Sequence, residues 1–245
     1  MSLLRNVLTV GGVTLVSRVA GFLRDTALAA VLGTGPAADA FFVAFRLPNL
    51  FRRLFAEGAF AAAFVPLFVR RRGEAGETAA RRFAGEALAG LAAVAVVVTL
   101  AATIAAPALV DLLAPGFAAD PAKRDLAIRL ARICLPYLAL VTVVALLSGL
   151  MNADRRYLAP SFAPVVLNLV LIATLLAVLT AGGIDADRAA TFLAGAVVVG
   201  GIAQVALLVV AVAAAHLAPA PTMPRLSPEI RRLFRLGLPG LLAGA

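Results

Sequence analysis

Residues 84–113 read AGEALAGLAAVAVVVTLAATIAAPALVDLL, and their only charges, Glu86 and Asp111, stand near the two ends. A helix rises ~1.5 Å per residue, so this run is long enough to cross a hydrocarbon core of ~30 Å. Runs 158–181 and 189–215 are equally apolar. Working outward from these three, runs 6–31, 38–69 and 126–151 complete six spans of about 20 residues or more. The expected fold is all-α, a polytopic membrane helix bundle.

Composition agrees. Of 245 residues 62% are hydrophobic and 14% charged, with a mean hydropathy of +1.01. That leaves too little polar surface to coat a soluble globule, for which about a quarter of residues are charged. The net charge of +9 comes almost wholly from arginine, since Lys123 is the sole lysine. These arginines form no solvated stripe, which argues against nucleic acid as a partner. Cys134 and His216 each occur once, so the chain has no intrachain disulfide and no Cys/His metal set. No catalytic constellation is visible. No metal and no cofactor is expected, and the chain reads as a non-enzyme. Arg18, Arg24 and Asp25 interrupt the first apolar run, so it reads as a retained first helix rather than a cleaved leader.

Loop charge sets the orientation. Arg70, Arg71, Arg72, Arg81 and Arg82 lie between spans two and three, Arg155 and Arg156 between four and five, and Arg225, Arg231, Arg232 and Arg235 after six. The alternate loops are neutral or mixed. The positive-inside rule places the N-terminus and the arginine-rich loops in the cytoplasm. Residues 1–218 are expected to form one six-helix unit. Residues 219–237 are expected to be a cytoplasmic linker that includes a basic amphipathic stretch at the membrane surface. The run 238–245 is too short to cross and is expected to be the start of a seventh span of a longer protein.

Charge inside spans one and two carries the functional reading. Span one contains Ser17, Arg18, Gly21, Arg24 and Asp25 within one polar sector. An arginine facing lipid costs about 2.5–3.5 kcal/mol even on the most lenient scale, so this sector needs protein, water or an anion beside it. Span two carries Asp39, Arg46 and Arg53 at sevenfold spacing, with Glu57 four residues after Arg53 and Arg52 about 100° away from the stripe. Pro48 removes a helical donor and frees the Ala44 carbonyl. If spans one and two are antiparallel neighbours, their arginines ring one cavity. Two accounts stay open. The arginines can pair with acids: Arg18 or Arg24 with Asp25, Arg46 with Asp39, Arg53 with Glu57. Alternatively they hold an anion, and five arginines against three acids favour this for Arg18, Arg24 and Arg52. Asn168, a lone amide in an apolar run, reads as a helix-to-helix hydrogen bond.

The runs Ser17-Arg18…Gly21-Phe22…Arg24-Asp25, Asp39-Ala40-Phe41-Phe42-Val43-Ala44-Phe45 and Leu47-Pro48-Asn49…Arg52-Arg53…Phe55-Ala56-Glu57-Gly58 closely resemble the MurJ (MviN) family of lipid II flippases. Asn152-Ala153, Ala159-Pro160 and Leu167-Asn168 also fit it. The resemblance implies one lobe of a two-lobe transporter of the MOP exporter superfamily. It implies movement of undecaprenyl-diphosphate-linked peptidoglycan precursor across the bacterial inner membrane, with lipid II and membrane lipids as partners. It assigns Arg18, Arg24 and Arg52 to the diphosphate and headgroup, and links Asp25 and Asp39 to function. Arg53, Asn49 and Ser17 complete the candidate binding set. A C-terminal lobe is an expected further requirement. A MATE-like drug or oligosaccharide-lipid exporter, or a non-transporting membrane scaffold, are the alternative readings.

Overall fold

The computed structural model describes the backbone of residues 3–56 and 59–223 and the side chains of residues 11–50 and 63–223. Its helices are α1 (Leu3–Leu32), α2 (Pro36–Ala56), α3 (Ala59–Ile104), α4 (Ala106–Leu113), α5 (Pro121–Cys134), α6 (Tyr137–Ala153), α7 (Leu158–Ala181) and α8 (Ala186–Ala214). A short 3-10 turn, Pro115–Ala119, precedes α5. No strand occurs among the described residues. The protein is a multi-pass membrane helix bundle. Four of its helical stretches are long and apolar enough to cross a membrane by themselves: Ala63–Ile104, Pro121–Ala153, Leu158–Ala181 and Ala186–Ala214. The expected first and second spans carry the intramembrane arginines, which lowers their hydropathy.

Helix breaks refine the expected boundaries. The second expected span, 38–69, corresponds to α2 and the opening of α3. Within α3 the chain turns at Gly76, whose φ of 81° is left-handed territory that a side chain would strain. Span three then runs from this turn through α3 into α4, with a break at Ala105 just before Pro107. Span four is two helices, because Pro136 has no N–H to continue the ladder of α5. Spans five and six coincide closely with α7 and α8.

The condition for one arginine ring, that spans one and two be antiparallel neighbours, is not met. α1 lies along α7 and barely touches α2, which packs instead on α5 and α6. Connection by a short turn, Gly33–Gly35, does not make the two helices partners. α1 buries Leu28 and Leu32 in the same cluster as Leu171, Leu175 and Val178 of α7. α8 can approach both α7 and α6 because Gly200 and Gly201 carry no side chain. A Cβ at Gly200 would lie 2.5 Å from Leu167 Cδ1, and one at Gly201 would lie 2.6 Å from Tyr137 Cδ2.

Two apolar cores result, one toward each end of the bundle. One gathers Leu28, Phe41, Val110, Leu130, Leu175 and Leu193. The other gathers Phe64, Phe68, Phe83, Leu150, Leu208 and Leu217. Ion pairs close the ends outside them. At the first end Lys123 pairs with Asp39 and lies 4.4 Å from the Phe117 ring, and Arg124 reaches Asp111 at 2.6 Å. At the other, Arg72 meets Asp154 at 3.1 Å. The arginine-rich loops therefore share one end of the bundle.

The segment after α8 is strapped to that same end of α3. Arg81 Nε donates to the Ala218 carbonyl at 2.7 Å, and the Ala220 N–H donates to the Arg81 carbonyl at 3.0 Å. Gly85 makes room for it, since a Cβ there would sit 1.9 Å from the Ala220 oxygen. Gly85→Ala should therefore lift residues 218–222 from α3 and lose both hydrogen bonds, about 1–3 kcal/mol together. Thermal unfolding in detergent checks this, and an unchanged Tm would show that the strap has no role in stability. Residues 224–245, including the expected interfacial stretch and the start of a seventh span, lie outside the described residues.

Candidate functional site

Between the two apolar cores lies a cavity of about 940 Å³. α1 gives it Arg24, and α2 gives it Phe42, Phe45, Arg46 and Asn49. Tyr137, Ser148 and Asn152 come from α6, Pro164 and Asn168 from α7, and Gln204 from α8. Arginines and amides thus converge in mid-bundle, where uncompensated polar groups would be costly.

Arg24 is the best anchored cation. Its Nε and one terminal nitrogen donate to Asp25 Oδ1 at 2.9 and 2.7 Å, and its other terminal nitrogen donates to Asn168 Oδ1 at 2.8 Å. Asn168 in turn donates to the Ser17 carbonyl at 3.3 Å, so one buried amide ties α7 to α1 twice over. This is the helix-to-helix bond expected of it. Part of the Arg24 fork still has no partner among the described residues. Its side chain is 21% exposed, against 59% for Asp25. Arg24 therefore sits at the cavity wall with a carboxylate on its solvent side.

Arg46 also lines the cavity, and it has no ion pair among the described residues. The Arg46–Asp39 pair, one of the two accounts left open, does not form. Lys123 takes Asp39 instead, because α2 and α5 are packed neighbours and the α5 N-terminus brings the lysine to that end. Asp39 thus belongs to the end of the bundle and not to the cavity wall. Pro48 is buried within α2, and the next residue, Asn49, donates its amide back to the Phe45 carbonyl at 3.0 Å.

The other candidates divide. Arg18 is exposed on α1, is not part of the cavity wall, and has no ion pair among the described residues. Ser17 contributes its carbonyl to Asn168. The side chains of Arg52, Arg53 and Glu57 lie outside the described residues. Sequence reasoning missed one feature of the cavity. The Tyr137 hydroxyl donates to Gln204 Oε1 at 3.2 Å, and Gln204 Nε2 donates to the Ala163 carbonyl at 2.8 Å. All of this is buried. The signal was present in the sequence: Gln204 is the sole side-chain amide in α8, a helix that is apolar apart from Gln204 from Phe192 onward.

A family profile described as "Lipid II flippase MurJ" matches residues 28–245. A "Probable lipid II flippase MurJ" of Rhizobium meliloti (strain 1021) is 46% identical over 245 residues, covering 100% of this chain and 46% of that protein. The chain thus spans about half the length of the curated relatives it matches. Among solved structures, a lipid II flippase MurJ in an inward closed conformation superposes with a TM-score of 0.71 at 19% identity, over 96% of this chain and 47% of that one. A MATE protein in complex with MaD3S gives 0.73 at 17% identity, over 98% and 53%. At these identities the two structures attest the fold alone.

Proposed function

The chain belongs to the lipid II flippase MurJ family, and from that premise we propose that it forms one lobe of a transporter for the undecaprenyl-diphosphate-linked peptidoglycan precursor. The observation that carries this reading is the cavity itself. It places Arg24 and Arg46 between two apolar cores, with one carboxylate beside Arg24 and none beside Arg46 among the described residues. Guanidinium in excess of carboxylate at the cavity wall favours a bound anion, and its planar fork suits phosphate oxygens. The diphosphate would sit among the arginines while the polyprenyl tail stays in lipid. A second lobe of similar size would supply the opposite wall, and rocking of the two would expose the site to each side in turn. No covalent bond is made or broken, so the protein is a transporter and not an enzyme. Arg18, Arg52 and Arg53 would join the anion path, with Asp25, Asn49 and Ser17 positioning it.

The expected location is the bacterial inner membrane with the N-terminus in the cytoplasm. Labelling checks the orientation. Cysteines introduced at Gly73 and Ala153 should react only from the cytoplasmic side, and one at Gly183 only from outside. The native Cys134 is buried and gives little background. Reversed labelling would invert the orientation and the direction of transport. The function is tested on the full-length protein in liposomes. Labelled lipid II should change leaflets, and movement no faster than in empty vesicles would sink the proposal.

A further inference from the structure

Arginine occurs at one more place inside a span. α5 buries Leu126, Ala127, Leu130, Ala131 and Cys134, and its opposite face exposes Asp125, Arg129 and Arg132. Neither Arg129 nor Arg132 has an ion pair among the described residues. Asp125, one turn before Arg129, lies near Arg124 instead, at 3.8 Å. Depth follows from a register. Lys123 pairs with Asp39, which fixes α5 beside α2, and both helices run away from that end. Arg129 and Arg132 are then roughly 9 and 13 Å further in, and Arg46 about 10 Å, at ~1.5 Å per residue. The two α5 arginines thus lie at the depth of the cavity arginine, but on the outside of the helix and not in the cavity wall.

Arginines at that depth cannot face hydrocarbon without compensation. Their surroundings suggest what compensates them. α4 packs on α5, is tied to it through Asp111 and Arg124, and exposes Leu112. A cationic stripe on a helix whose packed neighbour exposes an apolar side chain is the chemistry of a lipid bearing an anionic head. Two guanidinium groups one turn apart call for two negative charges. A phosphodiester head carries one, and a lipid diphosphate carries at least two. We infer that Arg129 and Arg132 form a second, peripheral station for the diphosphate of a polyprenyl lipid, on the outer face of α5 about two turns in from the end where Asp39 meets Lys123. The inference rests on the proposed flippase reading for the identity of the lipid.

The test counts bound lipids by native mass spectrometry. The chain is held in nanodiscs of phosphatidylcholine with added undecaprenyl diphosphate. Two copies should bind per chain. Arg129→Gln with Arg132→Gln should leave one, and Arg24→Ala should also leave one. Arg129→Lys with Arg132→Lys keeps the charge but not the fork, and should weaken the second copy several-fold. If the glutamine pair is not recovered from membranes, the lysine pair decides, and undiminished occupancy there overturns the inference. An unchanged count in the glutamine pair overturns it too, as does displacement of the second copy by a tenfold excess of phosphatidylglycerol, which would mark a site for bulk lipid. Loss only in the Arg24 variant removes the α5 station and leaves the cavity reading intact. Loss only in the α5 variants does the reverse. Loss in neither removes both.

Discussion

Arg24→Ala should weaken lipid II binding by about ten- to a hundredfold and abolish transport by the full-length protein, while leaving it folded. The loss follows from charge-assisted hydrogen bonds worth roughly 1.5–3 kcal/mol each to a charged ligand, with ~1.4 kcal/mol per factor of ten. A competing account makes Arg24 purely structural, since it already holds Asp25 and Asn168. The two partners weigh differently. Asp25 is 59% exposed, so water solvates it once the arginine is gone. Asn168 is buried and loses its donor, which should cost about 1–3 kcal/mol. Some fall in melting temperature is therefore expected from the amide alone. Asn168→Ala isolates that part. It should lower Tm by a similar amount and leave much of the binding, because the arginine and its charge remain. Arg24→Lys should fall between wild type and alanine, as an ammonium cannot serve carboxylate, amide and phosphate through one planar fork. Binding per folded molecule decides. If Arg24→Ala binds lipid II as wild type does, the residue is structural and the cavity reading loses its principal cation.

Gly201→Leu should be the most damaging single change on the apolar side of the bundle. Even the first added carbon would lie 2.6 Å from Tyr137 Cδ2 and 2.9 Å from Leu140 Cδ1. Those side chains are packed between α6 and α8, so the helices must part or the rotamers strain, at about 1–3 kcal/mol or more. Displacing Tyr137 also breaks its hydrogen bond to Gln204 at the cavity wall, which leaves a buried amide short of a partner. Gly195, six residues earlier on the same helix, is the control. Nothing lies within 4 Å of a Cβ there, so Gly195→Ala should be neutral, or stabilising by up to about 1 kcal/mol through helix propensity. Thermal unfolding of both variants in the same detergent reads the difference. Equal melting temperatures would show that α6 and α8 do not need the close approach.

Hydropathy alone made the membrane class legible, because a long charge-free run such as that within 84–113 has no other stable environment. It also made the grouping of loops legible: Arg72 and Asp154 meet at one end, where loop charge had placed both. Arg24 was legible as a cation needing company, because an arginine inside an apolar span is unfavourable wherever the helix packs. What one dimension could not hold was the choice of partner. Asp39 could reach Arg46 by helical spacing on its own helix, yet it meets Lys123, which is 84 residues away in sequence and delivered by the packing of α5 on α2. Adjacency in sequence left open whether α1 and α2 face each other, and α1 lies on α7. Periodicity gives the direction of a side chain around its own axis and says nothing of which helix stands opposite. The spans, their grouping by side and the identity of the charges within them belong to the sequence, since placement in lipid is a property each segment has alone. The cavity, the Arg24–Asn168 bridge and the Tyr137–Gln204 pair belong to the tertiary structure, since each is made by helices whose contact depends on the shape of both.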